Sequence, residues 1–185
     1  MVSASKLRQA RQIIQTGGIV AHPTEAVYGL ACDPANTEAV LQLLRLKNRS
    51  LDKGLILVAA SIEQLGPYIT IPDPLRKKVT SSWPGPITWL LPAKPGVSAL
   101  LTGSHDTLAV RVSAHPVVQA LCKECAQPLV STSANLQSSP PARSALAVRR
   151  IFDQKLDLIL HGMVDLNALP TEIRDAATDR IIRSS

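Results

Sequence analysis

Four short polar segments of this sequence carry side chains of the types that bind anionic small molecules. They occupy residues 22–25 (H-P-T-E), 47–49 (K-N-R), 107–111 (T-L-A-V-R) and 131–135 (S-T-S-A-N). We expect each of them to sit where a strand-like apolar run stops, and in an open α/β sheet such strand ends line the ligand crevice. Hydroxyls, a carboxamide and two sets of positive charge suit phosphates and carboxylates. The sequence therefore predicts an anion site, and an enzyme rather than a scaffold.

Lys47 is the first position with two open interpretations. It continues the apolar stripe of Val40, Leu43 and Leu44 at helical spacing, so it is predicted to point toward the core from the C-terminal end of a helix. Its ammonium can complement the helix dipole and extend to water. Alternatively, it is a partly desolvated cation that awaits an anion, with Arg49 as a bidentate partner.

Arg111 is the second such position. It lies on the alternate face of an otherwise apolar strand at residues 107–113, where an arginine is costly unless it is paired. Glu25, Asp175 or a substrate carboxylate can pair with it, and the pattern does not choose among them. The role of the hydroxyls in the predicted 131–135 loop is also left open, since they can bind a ligand or hydrogen-bond to their own backbone.

The elements that must position these groups alternate along the chain. Strands that alternate with helices predict a single α/β domain over residues 1–185, with a mostly buried, mixed sheet. Periodicity and turn signals predict helices at 5–16, from 36 or 37 onward, and at 75–82, 116–125 and 144–152. Strands are predicted at 18–21, 54–60, 87–91, 107–113, 129–130 and 156–160. A terminal hairpin is predicted to pair 172–175 with 180–183.

The composition limits the classes of binding partner and the cellular compartment that we expect for this protein. A net charge of +6 favours nucleotides or RNA, although an ordinary basic protein also fits, and 3% aromatics leave few platforms for stacking bases. Cys122 and Cys125 have C-x-x-C spacing on a predicted helix, where two half-buried core residues are favoured over a redox pair. No disulfide framework, histidine ligand spacing or bilayer-length apolar stretch is present, so we expect no protein metal site, no membrane and a cytoplasmic location.

Taken in order, the segments resemble the YrdC/TsaC family, the short form of the threonylcarbamoyl-adenylate synthases. The resemblance rests on P-T-E-A-V-Y-G from Pro23, K-N-R from Lys47 as K-x-R, D-K-G-L-I from Asp52, W-P-G-P from Trp83, L-A-V-R-V from Leu108 and S-A-N from Ser133 as S-x-N. Ser50 departs from the proline that usually follows K-x-R, and this change is expected to loosen the turn. Ala31 stands where a glycine is common.

The resemblance implies a YrdC-like fold, a twisted open sheet with a concave, positively charged face. It implies that L-threonine, bicarbonate or CO2, and ATP with Mg²⁺ yield threonylcarbamoyl-AMP and pyrophosphate. A downstream threonylcarbamoyl-transferase complex would then modify adenosine 37 of tRNA, which makes tRNA a candidate partner. The family's long forms carry a further domain, which is not expected in this chain.

The resemblance also assigns roles to individual residues. Lys47 and Arg49 would be catalytic through charge neutralisation. ATP would be bound by Lys47, Arg49, Thr107, Ser133, Asn135 and Arg183, and threonine by Thr24, Arg111, Ser131 and Thr171. Two rivals remain, an RNA-binding module without catalysis and a different transferase or hydrolase on the same fold.

Overall fold

Nine strands of the computed structural model form one sheet, and seven helices flank it. The structure describes residues 2–169 and 171–184; the predicted domain also includes Met1, Pro170 and Ser185, which lie outside the described residues. The strands are β1 (Val20–Pro23), β2 (Tyr28–Cys32), β3 (Ile56–Ala59), β4 (Ile87–Pro92), β5 (Thr107–Val112), β6 (Leu129–Ser133), β7 (Leu158–Ile159), β8 (Glu172–Asp175) and β9 (Ile181–Arg183). Their order in the sheet is β7-β1-β2-β6-β3-β5-β4-β8-β9.

Five of the seven helices begin at polar caps whose side chains accept from one of the first free N–H groups. Ser3 accepts from the Lys6 N–H, Asn36 from the Ala39 N–H and Ser144 from the Ala147 N–H. The helices are α1 (Ala4–Gln15), α2 (Thr37–Lys47), α3 (Ile62–Leu65), α4 (Asp73–Ser81), α5 (Ala99–Thr102), α6 (Pro116–Cys125) and α7 (Ala145–Phe152). None of them, within residues 2–169 and 171–184, is long and apolar enough to cross a membrane.

The sheet is mixed, as predicted. β1 pairs with β7, β3 with β5, and β4 with β8 in parallel, whereas the remaining neighbours are antiparallel. The larger apolar cluster covers one face of the sheet and includes Leu57 and Val110 together with Leu43 of α2 and Phe152 of α7. Strand β3 is packed on both faces, which explains why its sequence is apolar throughout.

The opposite face of the sheet is only partly covered. There α1 and α6 pack on a second cluster that includes Ala31, Val58 and Leu129. Residues farther along the same strands point to the same side, because side chains of equal parity share a face. The uncovered part of this face therefore carries the polar side chains of the central strands.

Several boundaries differ from the sequence predictions. β2, α3 and α5 were not predicted, β7 is shorter than 156–160, and β6 extends from 129–130 to Ser133. Residues 28–32 form a strand because they pair with both β1 and β6, and this tertiary pairing is not visible in so short a run. The predicted terminal hairpin is confirmed, and its turn is stabilised by Asp175, whose Oδ1 accepts from the N–H groups of Ala177 and Thr178.

Candidate active site

A cavity of about 690 Å³ lies on the uncovered part of the sheet. Small-molecule sites in proteins are typically about 300–1,000 Å³, so this cavity is large enough for a nucleotide and a small acid. All of the predicted site residues except Lys47 line it: Thr24, Arg49, Thr107, Arg111, Ser131, Ser133, Asn135, Thr171 and Arg183. The structure therefore brings together segments that are far apart in the sequence.

The prediction that every polar segment sits at a strand end is confirmed for residues 22–25 and 131–135, which span the ends of β1 and β6, and is wrong for the other two. Thr24 does follow β1, but residues 47–49 end helix α2, and Thr107 and Arg111 lie within β5. Ser131 and Ser133 belong to β6 and not to the loop that was predicted there. Their hydroxyls are tolerated in a central strand because this face opens into the cavity.

Lys47 is buried, with 5% of its surface exposed, so the interpretation that it extends to water is wrong. Its Nζ donates to the carbonyl of Ser133, to the carbonyl of Asn135 at 2.8 Å and to Asn135 Oδ1 at 3.0 Å. An ammonium has three donors, and all three are used. Burial, and then the nearby Arg49, lowers the pKa of Lys47 to about 8.

Ser133 and Asn135 form a small polar cluster above Lys47. Ser133 Oγ donates to Asn135 Oδ1 at 2.7 Å, and Asn135 Nδ2 donates to the Ser139 carbonyl at 2.6 Å. The K-x-R lysine thus holds the S-x-N segment from below, while the serine and asparagine face the cavity. This contact fixes the end of β6 relative to the end of α2.

Arg49 is held at the cavity wall by backbone carbonyls. Its Nη2 donates to Gly54 O at 2.9 Å and to Lys53 O at 3.3 Å, while its buried Nε has no hydrogen-bond partner among the described residues. Asn48 precedes it in the left-handed conformation that ends α2. Ser50, which replaces a proline, caps the short turn at Leu51–Lys53 by accepting from the Asp52 N–H at 3.4 Å, so this turn has a side-chain cap of its own.

Arg111 is paired with Glu25. Arg111 Nη1 lies 2.8 Å from Glu25 Oε2, and Glu25 Oε1 accepts a hydrogen bond from Ser113 Oγ at 2.7 Å. Arg111 and the Ser113 hydroxyl hold the pKa of Glu25 below its usual value, although burial alone would raise it. Arg111 Nε is buried and has no hydrogen-bond partner among the described residues. Of the three partners predicted for Arg111, Glu25 is therefore the one that the protein itself supplies.

The C-terminal hairpin completes the wall. Arg183 Nη2 donates to the Thr171 carbonyl at 2.7 Å, so these two residues, one assigned to ATP and one to threonine, are in contact. Burial lowers the pKa of Arg183, and the positive charges of Arg111 and Arg49 lower it further. Three guanidinium groups therefore act on one another electrostatically around a single cavity.

Asp175 has a role other than the one considered for it, whereas Cys122 and Cys125 are the core residues that the sequence favoured. Asp175 caps the hairpin turn and is not the partner of Arg111. Cys122 and Cys125 are free thiols in the second apolar cluster, buried more deeply than the half-buried prediction. Burial raises the pKa of Cys122 to about 12 and that of Cys125 to about 11, which makes both unreactive as nucleophiles.

His22 is the residue that sequence reasoning named without assigning it a role. It is 1% exposed, and its Nε2 atom has no hydrogen-bond partner among the described residues. Burial lowers the pKa of His22 to about 4, so its ring is neutral at physiological pH. Only its place beside the P-T-E segment pointed to the site, because an isolated histidine carries no spacing signal.

Comparisons with known proteins identify the family. The family model Sua5/YciO/YrdC, described as "Telomere recombination", matches residues 12–185. The chain belongs to this family. Similar members include a protein of Alkalilimnicola ehrlichii, 51% identical over 97% of this chain and 95% of its own length, and one of Pseudomonas fluorescens, 47% identical over 100% of both chains. Both are named threonylcarbamoyl-AMP synthase.

Solved structures of Sua5/YciO/YrdC members agree with the fold. The P. abyssi Sua5 protein complexed with L-threonine matches with a TM-score of 0.88 and 34% identity over 95% of this chain. This chain spans only 52% of the P. abyssi chain. E. coli YciO matches with a TM-score of 0.83 and 25% identity over 94% of this chain and 84% of its own.

Proposed function

We propose that this Sua5/YciO/YrdC member is a threonylcarbamoyl-AMP synthase, which converts L-threonine, bicarbonate or CO2, and ATP to threonylcarbamoyl-AMP and pyrophosphate. The observation that carries the proposal is the convergence of the K-x-R, S-x-N, P-T-E and L-A-V-R-V segments on one cavity. Relatives that share about half of its residues over nearly its whole length bear this name, which supports the same conclusion.

Threonine and ATP are assigned to two neighbouring sets of residues in the cavity, which meet where Arg183 contacts Thr171. Arg111 would bind the threonine carboxylate, with Thr24, Ser131 and Thr171 around the amino acid. Arg49, Thr107, Ser133, Asn135 and Arg183 would bind ATP. Guanidinium groups match carboxylates and phosphates in a bidentate manner, which supports both assignments.

The reaction needs alignment more than it needs a nucleophile from the enzyme. The neutral threonine amine attacks CO2 and releases a proton to water, which gives a carbamate. A carbamate oxygen then bonds to the α-phosphorus of ATP as the bond from that phosphorus to the bridging oxygen breaks and pyrophosphate leaves. Arg49 would neutralise charge that develops on the phosphates. Lys47 uses all three donors within the protein, so we assign it first to holding Ser133 and Asn135 in place, and it reaches a phosphate only by exchanging one carbonyl for it.

Mg²⁺ fits this site as a companion of ATP. Residues 2–169 and 171–184 contain no group of three or more His, Cys, Asp or Glu side chains that could hold a metal ion. Mg²⁺ is commonly held by substrate phosphates and few protein oxygens. Ser133 Oγ is the oxygen that would contact it, because Asn135 Oδ1 already accepts from Lys47 Nζ and from Ser133 Oγ, and the metal would neutralise phosphate charge.

Two further partners of the proposed enzyme stay predictions: tRNA, and a downstream threonylcarbamoyl-transferase complex that consumes the adenylate. Its cytoplasmic location also stays a prediction. The concave, positively charged face is also a prediction, and it is supported by the four arginines that line the cavity, Arg49, Arg111, Arg180 and Arg183.

The direct test is pyrophosphate release by the purified chain. With threonine, bicarbonate, ATP and Mg²⁺ together, we expect steady release of pyrophosphate, and mass spectrometry should detect threonylcarbamoyl-AMP. Omission of any one substrate should reduce the release to background. Equal release without threonine would exclude the proposal, and salt-dependent tRNA binding without any turnover would favour an RNA-binding module instead.

A second expectation concerns pH. Because burial and Arg49 lower the pKa of Lys47 to about 8, its ammonium loses its proton just above neutral pH, and the bonds that hold Ser133 and Asn135 weaken. The kcat/KM for ATP, which reports on the free enzyme, should therefore fall as pH rises through about 8. In Lys47→Arg, which keeps its proton, any remaining activity should show no such fall. A wild-type profile that is flat between pH 7 and 9.5 would contradict this.

A further inference from the structure

Ser113 is a buried polar residue behind the cavity wall, and the proposed reaction does not use it. It directly follows β5 and is 0% exposed. Its Oγ donates to Glu25 Oε1 at 2.7 Å and accepts from the His115 N–H at 3.1 Å. An N–H can only donate, so the single proton of the hydroxyl is directed at the carboxylate. The hydrogen bond from Ser113 therefore has one fixed direction, toward Glu25.

The backbone of Ser113 is fixed from two sides. Its N–H donates to the carbonyl of Ala59, the last residue of β3, at 3.1 Å. Its carbonyl accepts from Gln119 Nε2 of α6 at 3.1 Å. Ser113 is thus bound both to the sheet and to the helix that packs on the sheet. Its hydroxyl is therefore a rigid point from which the position of a longer side chain can be set.

Glu25 carries the longer side chain that Ser113 holds. It lies in the turn between β1 and β2, where the Thr24 N–H donates to the Val27 carbonyl at 3.0 Å. A carboxylate on a surface turn can extend to solvent, and the side chain of Glu25 is 20% exposed. The hydrogen bond from Ser113 keeps it beside Arg111, whose Nη1 lies 2.8 Å from Glu25 Oε2. One carboxylate oxygen thus contacts Ser113, and the other contacts Arg111.

The placement of Arg111 depends in turn on Glu25. Among residues 2–169 and 171–184, Glu25 is the only acid that forms an ion pair with Arg111. Arg111 and Thr24, which precedes Glu25 in the same turn, both line the cavity and are assigned to threonine. A guanidinium binds a carboxylate in a bidentate manner only when its plane is held at the right angle, and a displacement of about 1 Å can cost about a hundredfold in rate. A change in the position of Glu25 should therefore affect bound threonine.

We propose that Ser113 is a positioning residue for threonine, because its hydroxyl fixes the Glu25 carboxylate and, through it, the Arg111 guanidinium. This inference rests on the proposed function. Ser113 lies outside the cavity wall and does not contact the substrate. The residues assigned to ATP are held by other contacts, such as that of Arg49 with the Gly54 carbonyl, so ATP binding should not depend on Ser113.

The test is the variant Ser113→Ala, which removes the hydrogen bond but keeps the charges of Glu25 and Arg111. The KM for threonine should rise about tenfold, because the carboxylate loses the donor that fixes it. The KM for ATP should stay within about twofold of wild type. Ser81→Ala makes the same change at an exposed serine at the end of α4, outside the cavity, and should keep both wild-type values. An unchanged KM for threonine, or an equal rise in both KM values, would overturn the inference.

A double variant tests whether Ser113 acts through Arg111. In Arg111→Lys the planar fork is already absent, and the ammonium that replaces it is a point charge whose orientation matters less. Addition of Ser113→Ala to Arg111→Lys should therefore raise the KM for threonine by less than about twofold further. A further rise of about tenfold would show that Ser113 acts by another route, and the inference would be wrong.

The variant Ser113→Cys keeps the inference testable should Ser113→Ala not fold. Cysteine fills nearly the same space, but its S–H is a weak donor. The KM for threonine should still rise about threefold at a melting temperature close to that of wild type. A folded Ser113→Cys protein with the wild-type KM for threonine would contradict the inference while the proposed function stands. If wild type shows no threonine-dependent pyrophosphate release, the proposed function itself fails.

Discussion

Replacement of Lys47 by methionine is expected to reduce kcat/KM for ATP by at least about a hundredfold. Methionine keeps most of the volume but removes all three donors, and a hydrogen bond from a charged group contributes about 1.5–3 kcal/mol. The carbonyls of Ser133 and Asn135 would lose their donor, and the S-x-N segment would no longer be fixed against the end of α2. Steady-state kinetics with ATP as the varied substrate would measure the loss.

Two further variants separate the possible causes of that loss. Lys123→Met makes the same substitution at an exposed position on α6 and should leave both kinetics and melting temperature unchanged. Lys47→Arg keeps the charge, but a planar guanidinium cannot direct three donors as an ammonium does, so most of the loss should persist. Near-normal kinetics of Lys47→Met at an unchanged melting temperature would show that the lysine serves neither substrate nor segment.

The sequence predicted that Lys47 is inward but not what it contacts. Its helical spacing with Leu43 and Leu44 placed it on the core side of α2, and the structure confirms its burial. Its acceptors lie 86 and 88 residues farther along the chain, at the end of β6. Periodicity reports which face a residue occupies, but the element packed on that face is set by the sheet order.

Arg111 is a second residue whose face, but not whose partner, could be predicted from the sequence. Strand alternation put it opposite the apolar residues Leu108 and Val110, and this placement is confirmed. The choice of Glu25 over Asp175 depends on where two distant turns meet the sheet, which no local pattern encodes. The sequence motifs therefore predicted which residues could pair with Arg111, and the folded sheet determines that Glu25 does so. The missed strand β2 has the same cause, because its pairing with β1 and β6 defines it.

The second large effect is expected at Arg111. Arg111→Lys should raise the KM for threonine by about ten- to a hundredfold, because lysine keeps the charge but loses the planar fork that matches a carboxylate. The KM for ATP should change by less than about threefold, a result that threonine and ATP titrations of one variant would establish. The melting temperature should fall little, since an ammonium at this position can still pair with Glu25.

The contact with Glu25 defines how a purely structural Arg111 would behave. Arg111 is 5% exposed, and removal of one partner from a buried ion pair costs about 3–5 kcal/mol. Arg111→Met should therefore lower the melting temperature clearly, and Arg111→Lys should not. Should Arg111→Lys instead melt as low as Arg111→Met and weaken threonine and ATP alike, the guanidinium supports the folded structure and not the substrate. A selective loss of threonine affinity in a stable Arg111→Lys protein requires that the guanidinium contact the substrate, since the ion pair with Glu25 would then be intact.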